Sequence, residues 1–202
     1  MKIGLTGTIA SGKTTVSILL RRRGMAVFNC DNYAKTALYA GNECFAKIVA
    51  AFGEEIIGRD GDIDKKKMAD LIFSDEEKRR QMNAIVHPYV LAGMRRFFHS
   101  HENDAIVFAE VPLLFEASWN DEFDRICVVT CSRETAVRRM MEDRGYTEEE
   151  AAARYESQID PEKQKAMADH VIMNETTLKD LDHEINLWIR DLRKEAANGT
   201  EA

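Results

Sequence analysis

Short runs of apolar residues recur along the chain and predict five β-strands. The runs occupy residues 2–6, 25–28, 105–111, 125–130 and 170–173. The third and fourth runs are apolar almost throughout, which is typical of strands that are buried on both faces of a sheet. Because helical segments separate the runs, the pattern predicts a parallel sheet with right-handed crossover connections and helices on both faces.

Between the strands, apolar residues repeat at the spacing of α-helices. In residues 12–23, Val16, Leu19 and Leu20 fall on one helical face, and Gly24 is a typical residue for ending the helix. Further helices are predicted at 45–52, 66–73, 74 to about 101, 133–144, from 147 onwards, and 178 to about 197. This alternation predicts the α/β class, with no internal repeat and no linker between independent domains.

Two helix starts have the pattern of a capping box, in which a hydroxyl side chain and a glutamate three residues later bond each other's backbone amides. The pattern begins at Ser74 and at Thr147. Pro88 lies inside the long helical segment that ends near residue 101. It predicts a kink, a helix end or a new helix start near His87.

The composition is that of a globular protein. Of the 202 residues, 45% are hydrophobic and 31% are charged, and the formal net charge of −7 disfavours nucleic acid as a partner. No apolar run approaches the roughly 18 residues that span a bilayer, and the few apolar residues before Gly7 are too few for a signal peptide. We therefore expect a cytoplasmic protein with no membrane partner.

The four cysteines, Cys30, Cys44, Cys127 and Cys131, are expected to be reduced. Cys127 and Cys131 point to one face of a predicted strand but lie about 13 Å apart along it, too far for a disulfide. The sequence contains no Cys-x-x-Cys pair, so a cysteine-based metal site is not expected either.

The most specific chemical pattern is Gly-x-x-x-x-Gly-Lys-Thr, formed by Gly7, Gly12, Lys13 and Thr14 between the first strand and the first helix. Glycines let backbone amides approach phosphate oxygens, and the N-terminus of the helix points its N–H groups at the same anion. Lys13 would bring positive charge to the β- and γ-phosphates of ATP, and Thr14 a hydroxyl ligand for Mg²⁺. The pattern predicts a P-loop that binds ATP.

A P-loop alone does not separate kinases from other nucleotide-binding proteins, but the Asn-Lys-x-Asp pattern of GTPases is absent. Asp31 directly follows the second strand, where ligands of parallel sheets bind, and is the candidate for contacting an acceptor hydroxyl. Its alternative role is the N-cap of the next helix, and the two roles can coexist. Arg138, Arg139 and Arg144 lie on a predicted charged hairpin and are candidates for closing over the phosphoryl group, with a solvated helix face as the alternative.

Sequence blocks spread over residues 3–174 resemble the dephospho-CoA kinase family, which performs the last step of coenzyme A synthesis. The blocks lie at 4–16, 28–31, 52–53, 60–65, 83–88, 110–116, Gln158, 168–169 and Asn174. The most specific block is Glu-Val-Pro-Leu-Leu-Phe-Glu at 110–116. The resemblance covers nearly the whole chain.

The resemblance implies a P-loop nucleotide kinase fold, with a five-stranded parallel sheet flanked by helices in a single domain over residues 1–202. The implied parts are a core at about 1–31, 102–132 and 168–202, a CoA-binding helical region at about 32–101, and a helical lid at about 133–167. The implied reaction moves the γ-phosphate of ATP to the ribose 3′-hydroxyl of dephospho-CoA, with Mg²⁺ as the cofactor. The oligomeric state does not follow from it.

The resemblance also implies roles for individual residues. Asp31 would orient or deprotonate the acceptor hydroxyl, while Lys13 and Arg139 would stabilise charge on the transferred group. The residues implied to hold ATP are Ala10, Ser11, Gly12, Lys13, Thr14, Thr15 and Asn174. Those implied to hold the acceptor are Asp31, Lys65, His87 and Leu113, and those implied to hold Mg²⁺ are Thr14 and Glu110.

Several residues depart from the family's usual pattern, among them Asn29, which stands where an acidic residue is common. Thr8 and Ala10 stand where glycines are usual in the loop, so the backbone of Ala10 is expected to be restricted. Lys65 replaces an arginine and loses its bidentate fork. Glu110 replaces an aspartate and reaches one methylene further, which leaves direct and water-mediated contact with Mg²⁺ both open.

Several alternatives stay open at the level of the sequence. The order Asp143-Arg144 departs from the family, so Arg139 is favoured over Arg144 as the lid arginine. His87 by itself indicates a structural hydrogen bond, and Leu113 could equally belong to the core or to a pocket. The competing functions are a kinase of another small hydroxyl compound and a nucleotide-binding regulator without catalysis.

Overall fold

Within residues 1–198, the part of the chain that the computed structural model describes, five strands form one sheet. The strands are β1 (Lys2–Gly7), β2 (Ala26–Asn29), β3 (Val107–Glu110), β4 (Arg125–Thr130) and β5 (His170–Met173). Their order is β2-β3-β1-β4-β5, and β1 pairs in parallel with both β3 and β4. The predicted five-stranded parallel sheet is confirmed.

Nine α-helices accompany these strands in the described part of the chain. They are α1 (Lys13–Arg22), α2 (Cys30–Thr36), α3 (Glu43–Phe52), α4 (Lys65–Phe73), α5 (Glu76–Ser100), α6 (Arg133–Arg144), α7 (Glu148–Glu156), α8 (Pro161–Ala166) and α9 (Leu178–Asn198). Short 3-10 turns lie at Glu54–Ile56 and Asn120–Glu122. The capping box predicted at Thr147 is confirmed at the start of α7, where Thr147 and Glu150 bond each other's backbone amides.

The capping box predicted at Ser74 is wrong, and so are a helix end and a new helix start at Pro88, while a kink there stays a prediction. At the start of α5 the carboxylate of Asp75, and not the hydroxyl of Ser74, accepts N–H groups of the first turn, at 2.9 and 3.1 Å. Ser74 instead donates its hydroxyl to the carbonyl of Asp70, at 2.9 Å. The helix α5 also continues through Pro88. Pro88 and Ala84 are both exposed, so water can bond the carbonyl that the missing proline N–H leaves without a helical donor.

The chain divides into two compact units. The first contains residues 1–28 and the chain from residue 100 onwards, and the second contains residues 29–99. The first unit therefore holds the sheet with α1 and α6 to α9, whereas the second holds α2, α3, α4 and nearly all of α5. The roles expected for residues 32–101 in acceptor binding and for residues 133–167 as a lid stay predictions.

The core of the first unit lies between the sheet and the helices α1 and α9. Ile3 and Leu5 of β1 pack with Val16 and Leu20 of α1, and all four side chains are fully buried. Trp188 of α9 closes the other end of this cluster. Burial of such side chains contributes roughly 1.5–3 kcal/mol each, so this cluster anchors both ends of the loop between β1 and α1.

The second unit has its own apolar core. Phe52 of α3, Met68 of α4 and Met82 of α5 are buried in one cluster. Tyr33 of α2 stacks on Tyr89 of α5, with the ring centroids 5.0 Å apart and the planes inclined by 26°. This stacking ties α2 to the long helix α5.

All four cysteines are buried free thiols. Burial raises the pKa of the thiols of Cys44, Cys127 and Cys131, which keeps them protonated and poorly nucleophilic at neutral pH. Among residues 1–198, no helix combines the length and the apolar character that crossing a membrane requires.

Gly7, at the end of β1, has a backbone that tolerates no side chain. Its φ is 140°, and a Cβ atom there would lie 1.8 Å from the carbonyl oxygen of Val129 on β4. We expect Gly7→Ala to lower the free energy of unfolding by about 3 kcal/mol or more, since it combines backbone strain with a clash that the sheet cannot relieve. Urea denaturation measures the change.

Gly24 provides the matched control for this variant. It also has a positive φ, 77°, but no atom lies within 4 Å of the position of its Cβ. Gly24→Ala is therefore expected to cost only about 1 kcal/mol of backbone strain. Equal losses in the two variants would mean that the contact with Val129 does not limit the loop.

Candidate functional site

The loop of residues 7–14 joins β1 to α1 and ends at the amide-rich start of a helix. Gly12 is the N-cap of α1 in a left-handed conformation, with φ 93°. The carbonyl of Gly12 accepts the N–H of Val16, at 3.1 Å, as an intrahelical bond. The N–H groups of the first turn have no such intrahelical acceptor by geometry, so this end of α1 is suited to bind an anion.

Ala10, which stands where glycine is usual, has a left-handed backbone conformation. Its φ is 56°, which costs a residue with a side chain about 1 kcal/mol. Its methyl group packs with Ile9 against apolar side chains of α6 and α7, among them Val137 and Met140. Thr8, at the other unusual position, is buried. The loop thus keeps a left-handed turn without glycine at this position.

Lys13 directs its ammonium group back along the loop. Its Nζ donates to the carbonyl oxygens of Gly7 and Thr8, at 2.8 and 2.7 Å. The positive charge therefore lies beside the loop backbone, within one side-chain rotation of an anion at the start of α1. The pattern of the sequence predicted a cation at this place, and the structure brings it there.

Thr14 and Glu110 form a pair of oxygen ligands next to the loop. The hydroxyl of Thr14, in the first turn of α1, donates to Oε1 of Glu110 at 3.0 Å. Glu110 is the last residue of β3, only 3% exposed, and β3 lies beside β1 in the sheet. A hydroxyl and a carboxylate are hard oxygen donors, and this donor set fits Mg²⁺, which takes one or two protein ligands and completes its shell with phosphates and water.

Arg139 and Asn174 contact the loop from α6 and from the end of β5. Arg139 of α6 donates to the carbonyl oxygens of Ala10 and Asn174, at 3.2 and 2.9 Å. The buried Asn174, just after β5, donates its amide to the carbonyl of Ser11 at 2.8 Å. A side chain at Gly12 would collide with this amide, at 2.3 Å. Both residues therefore contact the loop itself.

The other two candidate arginines lie elsewhere on α6. Arg138 and Arg144 are both exposed, and Arg144 is in the last turn of the helix. Among the three arginines, Arg139 is the one whose guanidinium bonds a carbonyl of the phosphate loop, in line with the preference that the sequence indicated.

Glu175 is a residue near the loop that the sequence analysis missed. Its carboxylate accepts the backbone N–H of Ser132 and the hydroxyl of Thr135, the latter at 2.7 Å. It thereby fixes the start of α6, the helix that carries Arg139. Burial raises the pKa of Glu175, but these hydrogen bonds and the charge of Arg139 outweigh it and lower the pKa below its ordinary value. The sequence could have indicated Glu175, because it directly follows Asn174 at the carboxyl end of β5.

The lowered pKa of Glu175 predicts a pH-dependent contribution to stability. A carboxylate with a depressed folded-state pKa stabilises the fold above its unfolded pKa, and this contribution is lost as the pH falls through the folded value. Because water screens the carboxylate, Glu175→Gln should lower the free energy of unfolding by only about 1 kcal/mol at pH 7. The loss should be smaller near pH 3. Glu142→Gln, on the exposed part of the same helix, is the control. An equal Glu175→Gln effect at both pH values would contradict the prediction.

The predicted acceptor residues of the second unit lie on α2, α4 and α5. Asp31 is exposed in the first turn of α2. The alternative role for Asp31 as N-cap is wrong, because the side chain of Asn29 accepts the N–H of Asn32 at 2.7 Å and caps the helix. Lys65 is exposed at the start of α4, with its Nζ 5.6 Å from the ring centroid of Tyr39.

His87 and Leu113 have contrasting surroundings. His87 is half-buried on α5, and burial lowers the pKa of its imidazole. Leu113, in the first unit after β3, is 50% exposed, whereas its neighbour Leu114 is fully buried. The alternative that Leu113 belongs to the core is therefore wrong, and Leu114 takes that place.

Comparison with known proteins identifies the family of this chain. The family model described as CoaE, dephospho-CoA kinase, matches residues 1–180. A dephospho-CoA kinase of Listeria monocytogenes is 39% identical over 191 residues, which cover 93% of this chain and 94% of that protein. The match thus extends over nearly the full length of both chains.

Two solved structures resemble the fold over nearly its full length. The protein TT1252 from Thermus thermophilus superimposes with a TM-score of 0.78 at 33% identity, covering 95% of this chain and 97% of that one. A dephospho-CoA kinase from Campylobacter jejuni superimposes with a TM-score of 0.75 at 25% identity, covering 96% and 99%. With a family match over residues 1–180 and relatives of this similarity, the chain belongs to the dephospho-CoA kinase family.

Proposed function

We propose that this protein phosphorylates the ribose 3′-hydroxyl of dephospho-CoA with ATP, giving coenzyme A and ADP in the last step of coenzyme A biosynthesis. Membership of the dephospho-CoA kinase family carries this conclusion. The phosphate loop beside the Thr14–Glu110 pair supports it, since phosphoryl transfer requires a triphosphate site with a place for a metal ion.

In the proposed reaction the phosphate loop holds the triphosphate. The backbone amides at the start of α1 bond the phosphate oxygens, and Lys13 turns its ammonium group from the carbonyl oxygens of Gly7 and Thr8 to the β- and γ-phosphates. Arg139 contacts the carbonyl of Ala10 in the loop at 3.2 Å and adds a second positive charge beside the loop. Asn174 supports the loop next to the nucleotide.

Thr14 and Glu110 would hold the magnesium ion. When bound, Mg²⁺ neutralises charge on the β- and γ-phosphates, which favours attack by an oxygen nucleophile. The hydroxyl of Thr14 and the buried carboxylate of Glu110 would offer oxygen donors to the ion, and the contact of Glu110 would be direct or through water. The hydrogen bond between the two side chains holds both oxygens in place.

On the acceptor side, we assign the proton transfer to Asp31. Its exposed carboxylate accepts the hydrogen bond of the 3′-hydroxyl and removes the proton as the new O–P bond forms. Lys65 offers a positive charge to the phosphates of dephospho-CoA. The lowered pKa of His87 keeps its ring neutral at pH 7, so it serves as a hydrogen-bond partner of the acceptor. The exposed Leu113 provides apolar surface for the acceptor.

A substrate panel tests the proposed function. ADP release is followed in a coupled assay with dephospho-CoA, nucleoside monophosphates and sugar acids as acceptors, and the product is identified by mass and by the position of its phosphate. We expect turnover of dephospho-CoA far above the other compounds and a product phosphorylated on the 3′-oxygen. Preferred turnover of another acceptor would identify a different small-molecule kinase, and ATP binding without any turnover would identify a regulator.

A further inference from the structure

The short linker between α7 and α8 places a glutamine on the phosphate loop. The side-chain oxygen of Gln158 accepts the backbone N–H of Ile9 at 2.6 Å. The linker itself is anchored on both sides, because the N–H of Ser157 bonds the carbonyl of Ala153 at 3.0 Å and Asp160 caps α8. A firmly held side chain from outside the sheet thus bonds the main chain of the loop.

This bond completes the anchoring of the first half of the loop. The N–H of Thr8 bonds the carbonyl of Val129 at 3.2 Å, and the N–H of Ser11 bonds the carbonyl of Thr8 at 3.3 Å. With Gln158 on Ile9, the amides of Thr8 and Ile9 are bonded to groups outside the loop, and the amide of Ser11 is bonded within it. The amides of the second half lie at the start of α1, where a helix has no acceptors of its own. The loop is therefore divided into an anchored part and a part that faces the anion.

Apolar contacts support the same arrangement. Ile9 and Ala10 pack against the cluster formed by Val137, Met140 and Ala151 of α6 and α7, with Tyr155 at its edge. Packing of this kind brings the loop and the helical hairpin together but leaves sliding possible, whereas a hydrogen bond to one amide specifies one register. Gln158 supplies that directional contact.

We propose that Gln158 is a positioning residue for ATP: its amide oxygen fixes the backbone at Ile9, so that the amides at the start of α1 are preorganised for the triphosphate. The inference rests on the proposed function only in naming ATP as the ligand. Because the contact is present in the nucleotide-free loop, it lowers the cost of ordering the loop when ATP binds, in the ground state and in the transition state alike.

The test compares two glutamine-to-methionine variants of one segment. Gln158→Met keeps the length of the side chain and removes the acceptor oxygen, whereas Gln164→Met alters a buried glutamine that bonds only the nearby carbonyl of Ile159, at 3.3 Å. For Gln158→Met we expect the Kd of a non-hydrolysable ATP analogue and the KM for ATP to rise about tenfold, the effect of one lost hydrogen bond to a buried amide. The kcat at saturating ATP and the KM for dephospho-CoA should change less than about twofold. Gln164→Met should lower the melting temperature and leave the Kd unchanged.

Amide hydrogen exchange supplies a readout that does not depend on catalysis. In the nucleotide-free protein the N–H of Ile9 should be protected, and in Gln158→Met it should exchange about tenfold faster while the N–H of Thr8 stays as in the wild type. Gln158→Glu, which keeps an acceptor oxygen, should restore the protection. An unprotected Ile9 amide in the wild type, or equal ATP affinity of Gln158→Met and wild type, would overturn the proposal. If the wild type fails to phosphorylate dephospho-CoA, the proposed function fails. The Kd for the ATP analogue and the exchange rate of the Ile9 amide would still test the positioning role of Gln158.

Discussion

Replacing Asp31 by asparagine is expected to reduce the turnover of dephospho-CoA by about 10²–10⁴-fold, the usual contribution of a positioned general base. Asparagine has nearly the same shape and can still hydrogen-bond the acceptor hydroxyl, but it cannot take the proton. Since Asn29 caps α2, the variant keeps the cap and the helix start. The loss should therefore appear in kcat, measured by ADP release, with the Kd for an ATP analogue nearly unchanged.

Asp70→Asn is the matched control for this variant. Asp70 is an exposed aspartate on α4 in the same unit, and we expect its replacement to leave both turnover and ATP affinity at the wild-type level. Melting temperatures of the two variants show whether either one disturbs the fold. If Asp31→Asn lowers the affinity for ATP as strongly as it lowers turnover, Asp31 is a nucleotide ligand or a structural residue and the proposed role is wrong.

Replacing Lys13 by methionine is expected to lower kcat by about 10²–10³-fold, equivalent to roughly 3 kcal/mol of lost charge stabilisation in the transition state. Methionine keeps an unbranched side chain of similar size, so the packing at the start of α1 is largely preserved. The variant removes the ammonium group that contacts the carbonyl oxygens of Gly7 and Thr8 at 2.8 and 2.7 Å. Without this ammonium group, the charge that develops on the β- and γ-phosphates lacks a nearby counter-charge.

The control here is Lys163→Met, which removes an exposed lysine of α8 in the same unit and should leave kcat unchanged. Calorimetric binding of an ATP analogue separates ground-state affinity from catalysis. A Lys13→Met variant that loses only affinity and keeps its kcat at saturating ATP would show that Lys13 binds the triphosphate uniformly and does not act on the transition state.

Local patterns predicted the strands well because the signal for a buried strand is contained in a few adjacent residues. The predicted ranges 125–130 and 170–173 coincide with β4 and β5, and the helix predicted at 133–144 coincides with α6. The capping box at Thr147 was equally local and was confirmed. In each case the period of the apolar residues and a side chain within three positions carry the information.

Predictions failed where the local sequence offered more than one possible N-cap or helix boundary. Ser74 and Asp75 are both good N-cap residues, and the helix uses Asp75, whose carboxylate accepts two N–H groups. Asp31 was a possible cap, but Asn29 takes that position because α2 begins two residues earlier than the cap at Asp31 would require. A helix end or a new helix start at Pro88 was also wrong, because α5 continues through this exposed residue.

By itself, the sequence determined the α/β class, the phosphate loop at residues 7–14 and the family resemblance, because each depends on residue types at short spacing. Only the tertiary structure decided which side chains meet that loop. Glu110, Arg139 and Gln158 lie about 100 to 150 positions away from it along the chain, and parallel pairing and helix packing bring them within hydrogen-bonding distance of the loop or the first turn of α1. Such contacts depend on the register of the sheet and on the packing of the core, which no local pattern encodes.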